Sequence, residues 1–229
     1  MSAAGAYADG AWYDAEYVHI RADIPLYRAV AREARGPILE LAAGTGRLSF
    51  PMAEVGAEVL ATDVSPPMIA RAREKLARAA PDVQDRLRFE VGDMRGLRLD
   101  ARFDRVVLGF NGLMHMLEDE DVEALLATAR HHLAPGGRVH LDLFTPYPQL
   151  PERDPEGRYD PQQMIDPRTR ERWWVTESNR YDPRRQVNHM RFHYRRAGPS
   201  GAAEGPEHTV EIPLRVFFPR ELDRFLRQA

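Results

Sequence analysis

Up to about residue 150, short apolar runs alternate with longer stretches whose apolar positions recur every three or four residues. Ile38-Leu39-Glu40-Leu41, Glu58 to Thr62, Leu87 to Val91, Phe103 to Leu108 and Arg138 to Phe144 predict strands. Ser65-Pro66 reads as an N-cap followed by proline at the first helical position, opening a helix through about Ala79. Val122, Leu125, Leu126, Ala129 and Leu133 share one helical face, and Pro135-Gly136-Gly137 stops that helix. Strands and helices in this alternation imply βαβ units and a mostly parallel, Rossmann-like α/β sheet with helices on both faces.

The pattern changes near Pro146, where aliphatic residues thin out and prolines and charges accumulate. Arg172 to Asn179 and Val187 to Arg196 predict strands around the turn Tyr181-Asp182-Pro183-Arg184-Arg185, and His208 to Phe218 a third, giving a small antiparallel insert sheet. Ala197 to Pro206 reads as a flexible loop. Pro219 to Gln228 predicts a helix with Leu222, Phe225 and Leu226 inward. The expected organisation is an N-terminal helical segment over 1–35, a core over 36–146, an insert over 147–218 and a final core helix over 219–229.

Composition narrows the function classes. Lys75 is the single lysine among 32 basic residues, so the other 31 are arginine, and 35 acids leave a net charge of −3. The basic residues form no stripe, which argues against nucleic acid as a partner. Absence of cysteine removes disulfides, a thiol nucleophile and thiolate metal sites. No run approaches the roughly 20 apolar residues of a membrane span, and Met1 to Gly10 lacks the basic and apolar regions of a secretion signal. A cytoplasmic protein, monomer or homodimer, is the expectation.

The chemistry concentrates at the ends of the first two predicted strands. Gly44-Thr45-Gly46 forms a loop in which a ligand can approach the backbone closely. Asp63, 17 residues beyond Gly46, closes the next strand, where a carboxylate can accept from both hydroxyls of a ribose. Ser49 stands where a dinucleotide fingerprint wants a third glycine, with Pro51 close behind, and the loop lacks the Lys-Ser/Thr pair of a P-loop. A cofactor with a ribose and no phosphates fits better.

Residues 38–47, Ile-Leu-Glu-Leu-Ala-Ala-Gly-Thr-Gly-Arg, resemble motif I of the class I S-adenosylmethionine-dependent methyltransferases. Ala61-Thr62-Asp63-Val64-Ser65-Pro66-Pro67-Met68 is similar to that family's ribose-binding segment, Gly92-Asp93-Met94 to its adenine signature, and Pro135-Gly136-Gly137-Arg138 to the turn before strand five. The resemblance covers residues 36–146; Ala42 departs from it, standing where the first glycine is usual.

The resemblance implies S-adenosylmethionine as cofactor. Ala42, Gly44, Gly46 and Arg47 would line the methionine part, and Asp63 with Val64 would hold the ribose. Met68 would pack near the adenine, Asp93 would accept from its amine, and Met94 would donate a backbone N–H. Phe110 would flank the sulfonium. For Met68 and Met94, core filling is the competing reading. The family's sheet has seven strands, so the last two are expected to be missing from a chain whose final predicted helix runs to its last residues.

Methyl transfer is an in-line displacement, for which alignment of the acceptor and exclusion of water matter most. His115, in Phe110-Asn111-Gly112-Leu113-Met114-His115, is the candidate base, on resemblance to small-molecule methyltransferases, amino-sugar N-methyltransferases among them; a helix-capping histidine is the alternative. Trp12-Tyr13-Asp14-Ala15-Glu16-Tyr17 resembles a lid segment, with Tyr13 a candidate at the reaction centre and Tyr17 and Arg21 at the cofactor, or else a docked helix. Trp173, Trp174, Arg191 and Tyr194 would belong to an insert roofing the acceptor pocket. His131 and His132 sit where a cation suits a helix C-terminus, and His189 and His193 share a strand face without a third metal ligand. No Asn-Pro-Pro-aromatic clamp and no magnesium-binding acid cluster follows the fourth strand. The sequence thus points to a small-molecule N- or O-methyltransferase of secondary metabolism. A macromolecular methyltransferase and a non-catalytic S-adenosylmethionine-binding regulator remain the alternatives.

Overall fold

The computed structural model describes residues 7–146 and 149–229. The first six residues of the N-terminal segment and the expected start of the insert at residue 147 lie outside them. The chain forms two compact units, one comprising Ile20–Phe144 with Pro219–Ala229 and the other the described parts of 1–19 and 145–218.

The first unit is built on a five-stranded parallel sheet of β1 (Ile38–Leu41), β2 (Val59–Asp63), β3 (Leu87–Val91), β4 (Phe103–Leu108) and β5 (Leu133–Leu141), in the order β3-β2-β1-β4-β5. Central β1 is buried at all four positions, as a strand covered on both faces must be, and this explains why its run is apolar but for Glu40. The reversal of strand order between β1 and β4 opens a crevice at the carboxyl ends of the strands, the usual ligand position in such sheets. Among the described residues no sixth strand joins this sheet.

Of this unit's helices, α2 (Ile24–Glu33) and α3 (Ser49–Glu54) pack together, and α4 (Pro66–Leu76) covers β2 and β3. Ser65 caps α4 by accepting from the Met68 N–H at 3.4 Å. The helix stops at Leu76 rather than Ala79, and Pro81 opens a separate short helix, α5 (Pro81–Arg86). Three acids open α6 (Asp119–His132), and Arg130 stands in its last turn, matching the helix dipole. The expected start of β5 at Arg138 is too late. Leu133 already pairs with Phe103, and the next pair is Arg105 with Arg138, so Pro135-Gly136-Gly137 bulges out within the strand, with Gly136 at φ 79°. β5 also ends at Leu141, short of Phe144, because the Phe144 N–H turns aside to the Asn111 side chain.

The second unit holds helix α1 (Gly10–Glu16) and an antiparallel sheet, β6 (Tyr159–Ile165), β7 (Arg172–Asp182), β8 (Val187–Ala197) and β9 (Ala203–Arg215), in sequential order. β6 was not predicted: Pro161 and the irregular register around Asp160, at φ 47°, mask its alternation and suit an edge strand. Residues expected to form a flexible loop over Ala197 to Pro206 mostly extend β8 and β9, whose turn closes through Gly198 N–H to the Ala202 carbonyl at 2.8 Å. One face of the sheet carries Val175, Phe192, Tyr194 and Ile212, with Trp12 and Ala15 of α1 packed against them. Trp173 and Tyr194 lie on that face, and the registers put Trp174 and Arg191 on the opposite one.

The last helix, α7 (Pro219–Gln228), packs on α6 in the first unit. Phe225 is its one buried residue; Leu226, expected inward, is 46% exposed.

Candidate active site

The crevice is shaped by three residues in left-handed backbone, Ala42 (φ 53°), Gly44 (φ 58°) and Gly46 (φ 85°), in the seven-residue connection from β1 to α3. Ala42 tolerates this at a cost of about 1 kcal/mol, so the missing first glycine changes the residue and not the turn. At Gly46 no side chain fits, since a Cβ would lie 2.7 Å from Phe89 Cζ and 2.9 Å from Phe50 Cε2.

Asp63, at the end of β2, is tied to this turn. Its Oδ2 accepts the Gly44 N–H and its Oδ1 the Ser65 N–H, both at 2.8 Å. Burial pushes its pKa upward, against the lowering effect of those two N–H donors. Each oxygen keeps acceptor capacity beyond its one backbone donor. A carboxylate beside a glycine turn, with no phosphate-gripping Lys-Ser/Thr pair in the loop, fits a ribose-bearing, phosphate-free cofactor.

Beneath the turn lies a feature that the motif reading passed over. Glu40 in β1 is 3% exposed and accepts the Ser49 hydroxyl at 2.5 Å. Burial raises its pKa to about 8, outweighing the Ser49 hydrogen bond and the nearby Arg47 charge, which both act to lower it. Ser49, read as a departure from a dinucleotide fingerprint, is therefore the polar partner of a buried acid. An acid within an apolar strand was the available signal.

Arg47 is engaged within the protein. It donates to both Asp23 oxygens, at 2.7 and 2.6 Å, reaches the Ile20 carbonyl at 3.3 Å, and stacks over the Phe110 ring at 4.2 Å. This brings two of the expected cofactor residues together. Phe110 and Asn111 both take left-handed backbone, φ 52° and 62°, immediately after β4. The turn is held by Asp142, which accepts the Asn111 N–H at 3.0 Å and the Tyr27 hydroxyl at 2.8 Å, while Asn111 Oδ1 accepts the Phe144 N–H at 2.6 Å. Neither Tyr27 nor Asp142 stood out in the sequence. The 3-10 turn Gly112–His115 follows and ends on His115, half-buried, whose pKa burial holds below the usual histidine value.

The remaining candidates are less gathered. Met68 is 2% exposed and belongs to the core, whereas Val64 is 65% exposed. Met94 is half-buried. Asp93 is gripped by Arg95 through its backbone N–H at 2.9 Å and its guanidinium at 2.7 Å, which holds the carboxyl below its ordinary range. Arg21 is exposed. Tyr13 and Tyr17 belong to the second unit, their ring centroids 4.7 Å apart.

One histidine expectation changes. His132 is fully buried, with its Nε2 accepting the Leu99 N–H at 3.0 Å and its Nδ1 2.8 Å from the Thr128 carbonyl, so it is a neutral hydrogen-bonding residue and not a dipole-matched cation. His189 and His193 do share a face, where Glu211 and Glu207 of β9 pair with them at 3.1 and 3.0 Å. Among the described residues no cluster of metal-ligating side chains occurs, and no helix is long and apolar enough to cross a membrane.

Residues 38–137 match the family model described as a methyltransferase domain. The chain is 38% identical over 109 residues to the cypemycin N-terminal methyltransferase of a Streptomyces species; the match covers 48% of this chain and 42% of that protein, less than half its length. The structure resembles the CcbJ methyltransferase from Streptomyces caelestis, with a TM-score of 0.72 and 27% identity over 97% of this chain and 85% of that one. It also resembles the glycopeptide N-methyltransferase MtfA complexed with S-adenosyl-L-methionine, with a TM-score of 0.60 and 28% identity over 93% and 78% of the two chains.

Proposed function

We propose that residues 38–137, which match a methyltransferase domain model, form a class I S-adenosylmethionine-dependent methyltransferase domain, and that the protein methylates a nitrogen or oxygen of a small-molecule acceptor in secondary metabolism. The observation that carries this reading is the Asp63 carboxylate, hydrogen-bonded to the Gly44 turn with acceptor capacity to spare. Bound S-adenosylmethionine supplies an electrophilic methyl group on a sulfonium. Asp63 would hold the ribose hydroxyls, while Gly44 and Gly46, with Ala42 before them, let the backbone approach the methionine portion. Phe110, backed by the Arg47 guanidinium, would shield the reacting end from water. Met68, Val64 and Met94 would border the adenine. Asp93 would accept from the adenine amine once Arg95 releases it.

His115 is the candidate base. Burial holds its pKa down, so the imidazole is neutral near neutral pH and can take a proton from an acceptor hydroxyl or ammonium. Tyr13 is the second candidate at the reaction centre, and Tyr17 and Arg21 the candidates toward the cofactor carboxylate. Residues of the antiparallel unit would set acceptor choice. The resemblance to the cypemycin and glycopeptide N-methyltransferases supports a small-molecule or peptide-like acceptor.

The test is thermal. S-adenosylhomocysteine should raise the melting temperature, and Asp63→Ala should abolish that shift while leaving the unliganded protein folded. An unchanged shift in the variant would remove Asp63 from the cofactor site; no shift in the parent protein would overturn the cofactor assignment.

A further inference from the structure

Within the antiparallel unit one acid is placed where it costs stability. Glu16 is the last residue of α1 and 6% exposed. A carboxylate there opposes the negative end of the helix dipole and loses its hydration, a penalty normally met by a cation or several donors. No ion pair to Glu16 occurs among the described residues. Its hydrogen bonds there are those from the Tyr194 hydroxyl, 3.0 Å to Oε1 and 3.1 Å to Oε2. One hydroxyl donates one proton, whereas a carboxylate offers about four acceptor positions.

The surroundings are aromatic. Trp12 lies four residues before Glu16, on the same helix face. Its ring sits edge-on to Tyr194 at 5.7 Å and to Trp173 at 5.5 Å. The rings of Tyr13 and Tyr17 lie 4.7 Å apart one turn along the helix, tilted by 44°, and Tyr7 adds a ring 6.1 Å from Tyr13. A buried carboxylate short of donors, set among indole and phenol rings, is the combination that recognises an organic cation: the charge is met by the acid and the alkyl groups by π faces.

We propose that Glu16, with Trp12 and Tyr194, forms a binding site for the ammonium group of an organic amine. The recognition elements lie on α1, β7 and β8 of a single unit. That the amine belongs to the methyl acceptor rests on the methyltransferase reading; the site itself does not.

The experiment uses the full chain and dimethylammonium chloride as probe, with isopropanol as a neutral analogue of similar size, followed by tryptophan fluorescence. Saturable quenching by the ammonium and none by the alcohol is expected. Glu16→Gln, which keeps the shape and an acceptor for Tyr194 but removes the charge, should weaken binding about tenfold or more. Should that variant not fold, Glu16→Asp serves instead: it keeps the charge but withdraws it by one methylene from the Tyr194 hydroxyl, and should weaken binding about threefold or more. Absence of saturable binding, equal response to the alcohol, or undiminished binding by the folded Glu16 variant would each overturn the assignment. The S-adenosylhomocysteine melting shift, measured on the same samples, separates the two readings. A preserved shift without ammonium binding refutes only the amine site, and the reverse refutes only the cofactor assignment.

Discussion

At Gly46 two constraints coincide, a φ of 85° and a space already taken by Phe50 and Phe89. Substitution by alanine adds left-handed strain of about 1–2 kcal/mol to an overpacking cost of about 1–3 kcal/mol. Gly46→Ala is therefore expected to destabilise the protein by about 2–4 kcal/mol, read as the shift in urea midpoint at constant slope. A loss below about 0.5 kcal/mol would mean the turn is not rigid. Ala42 marks the contrast: its left-handed φ of 53° sits where a methyl group is tolerated. The sequence made the glycine loop and Asp63 legible because spacing alone puts both at strand ends. It could not reveal Glu40 with Ser49, or Glu16 with Tyr194, since those partners meet only through tertiary packing across 9 and 178 residues.

Among elements, the junction between the ends of β4 and β5 is the most exacting. Asp142 ties Asn111 and Tyr27 together, so one carboxylate links α2, the strained turn after β4 and the exit of β5. Asp142→Ala strands both donors and should cost about 2–3 kcal/mol, against about 1 kcal/mol for Tyr27→Phe, which removes a single bond. Hydrogen exchange should show the amides of 111–115 opening faster in Asp142→Ala, with those of β1 unaffected. Equal effects of the two substitutions would contradict a shared carboxylate anchor. The strands β1 and β4 were readable because burial on both faces leaves short apolar blocks, and the edge strand β3 because its buried Leu87 and Phe89 alternate with exposed residues. β6 and the bulged start of β5 were not, since proline and glycine, which usually end elements, lie here inside them.

For the whole molecule, the buried acids set the response to pH. Burial raises Glu40 to about 8 and Glu16 to about 7 from an ordinary 4.5. A folded-state pKa above the unfolded one gives stability that is complete below the unfolded value and disappears as pH rises through the folded value. Stability should thus decline between about pH 4.5 and 8. On the acid side, Asp23, beside Arg47, and Asp93, gripped by Arg95, are held below 3.8, and their contribution is lost as pH falls through those lowered values. Urea midpoints should therefore peak at about pH 4, and Glu40→Gln should flatten the alkaline limb. A profile level from pH 5 to 9 would show that neither acid is held in its neutral form.

The antiparallel unit draws on both ends of the 125 residues, 20–144, that form most of the other unit. Helix α1 leaves the ribosome well before the strands it packs against, β7 and β8, which begin about 155 and 170 residues after it ends. At about 5–20 residues per second that interval is roughly 8–34 s. Throughout it Trp12 and Ala15 lack the sheet face they pack against. The nascent chain thus displays an uncovered aromatic helix over that interval, a target for a holdase chaperone and the point at which two nascent copies can exchange helices.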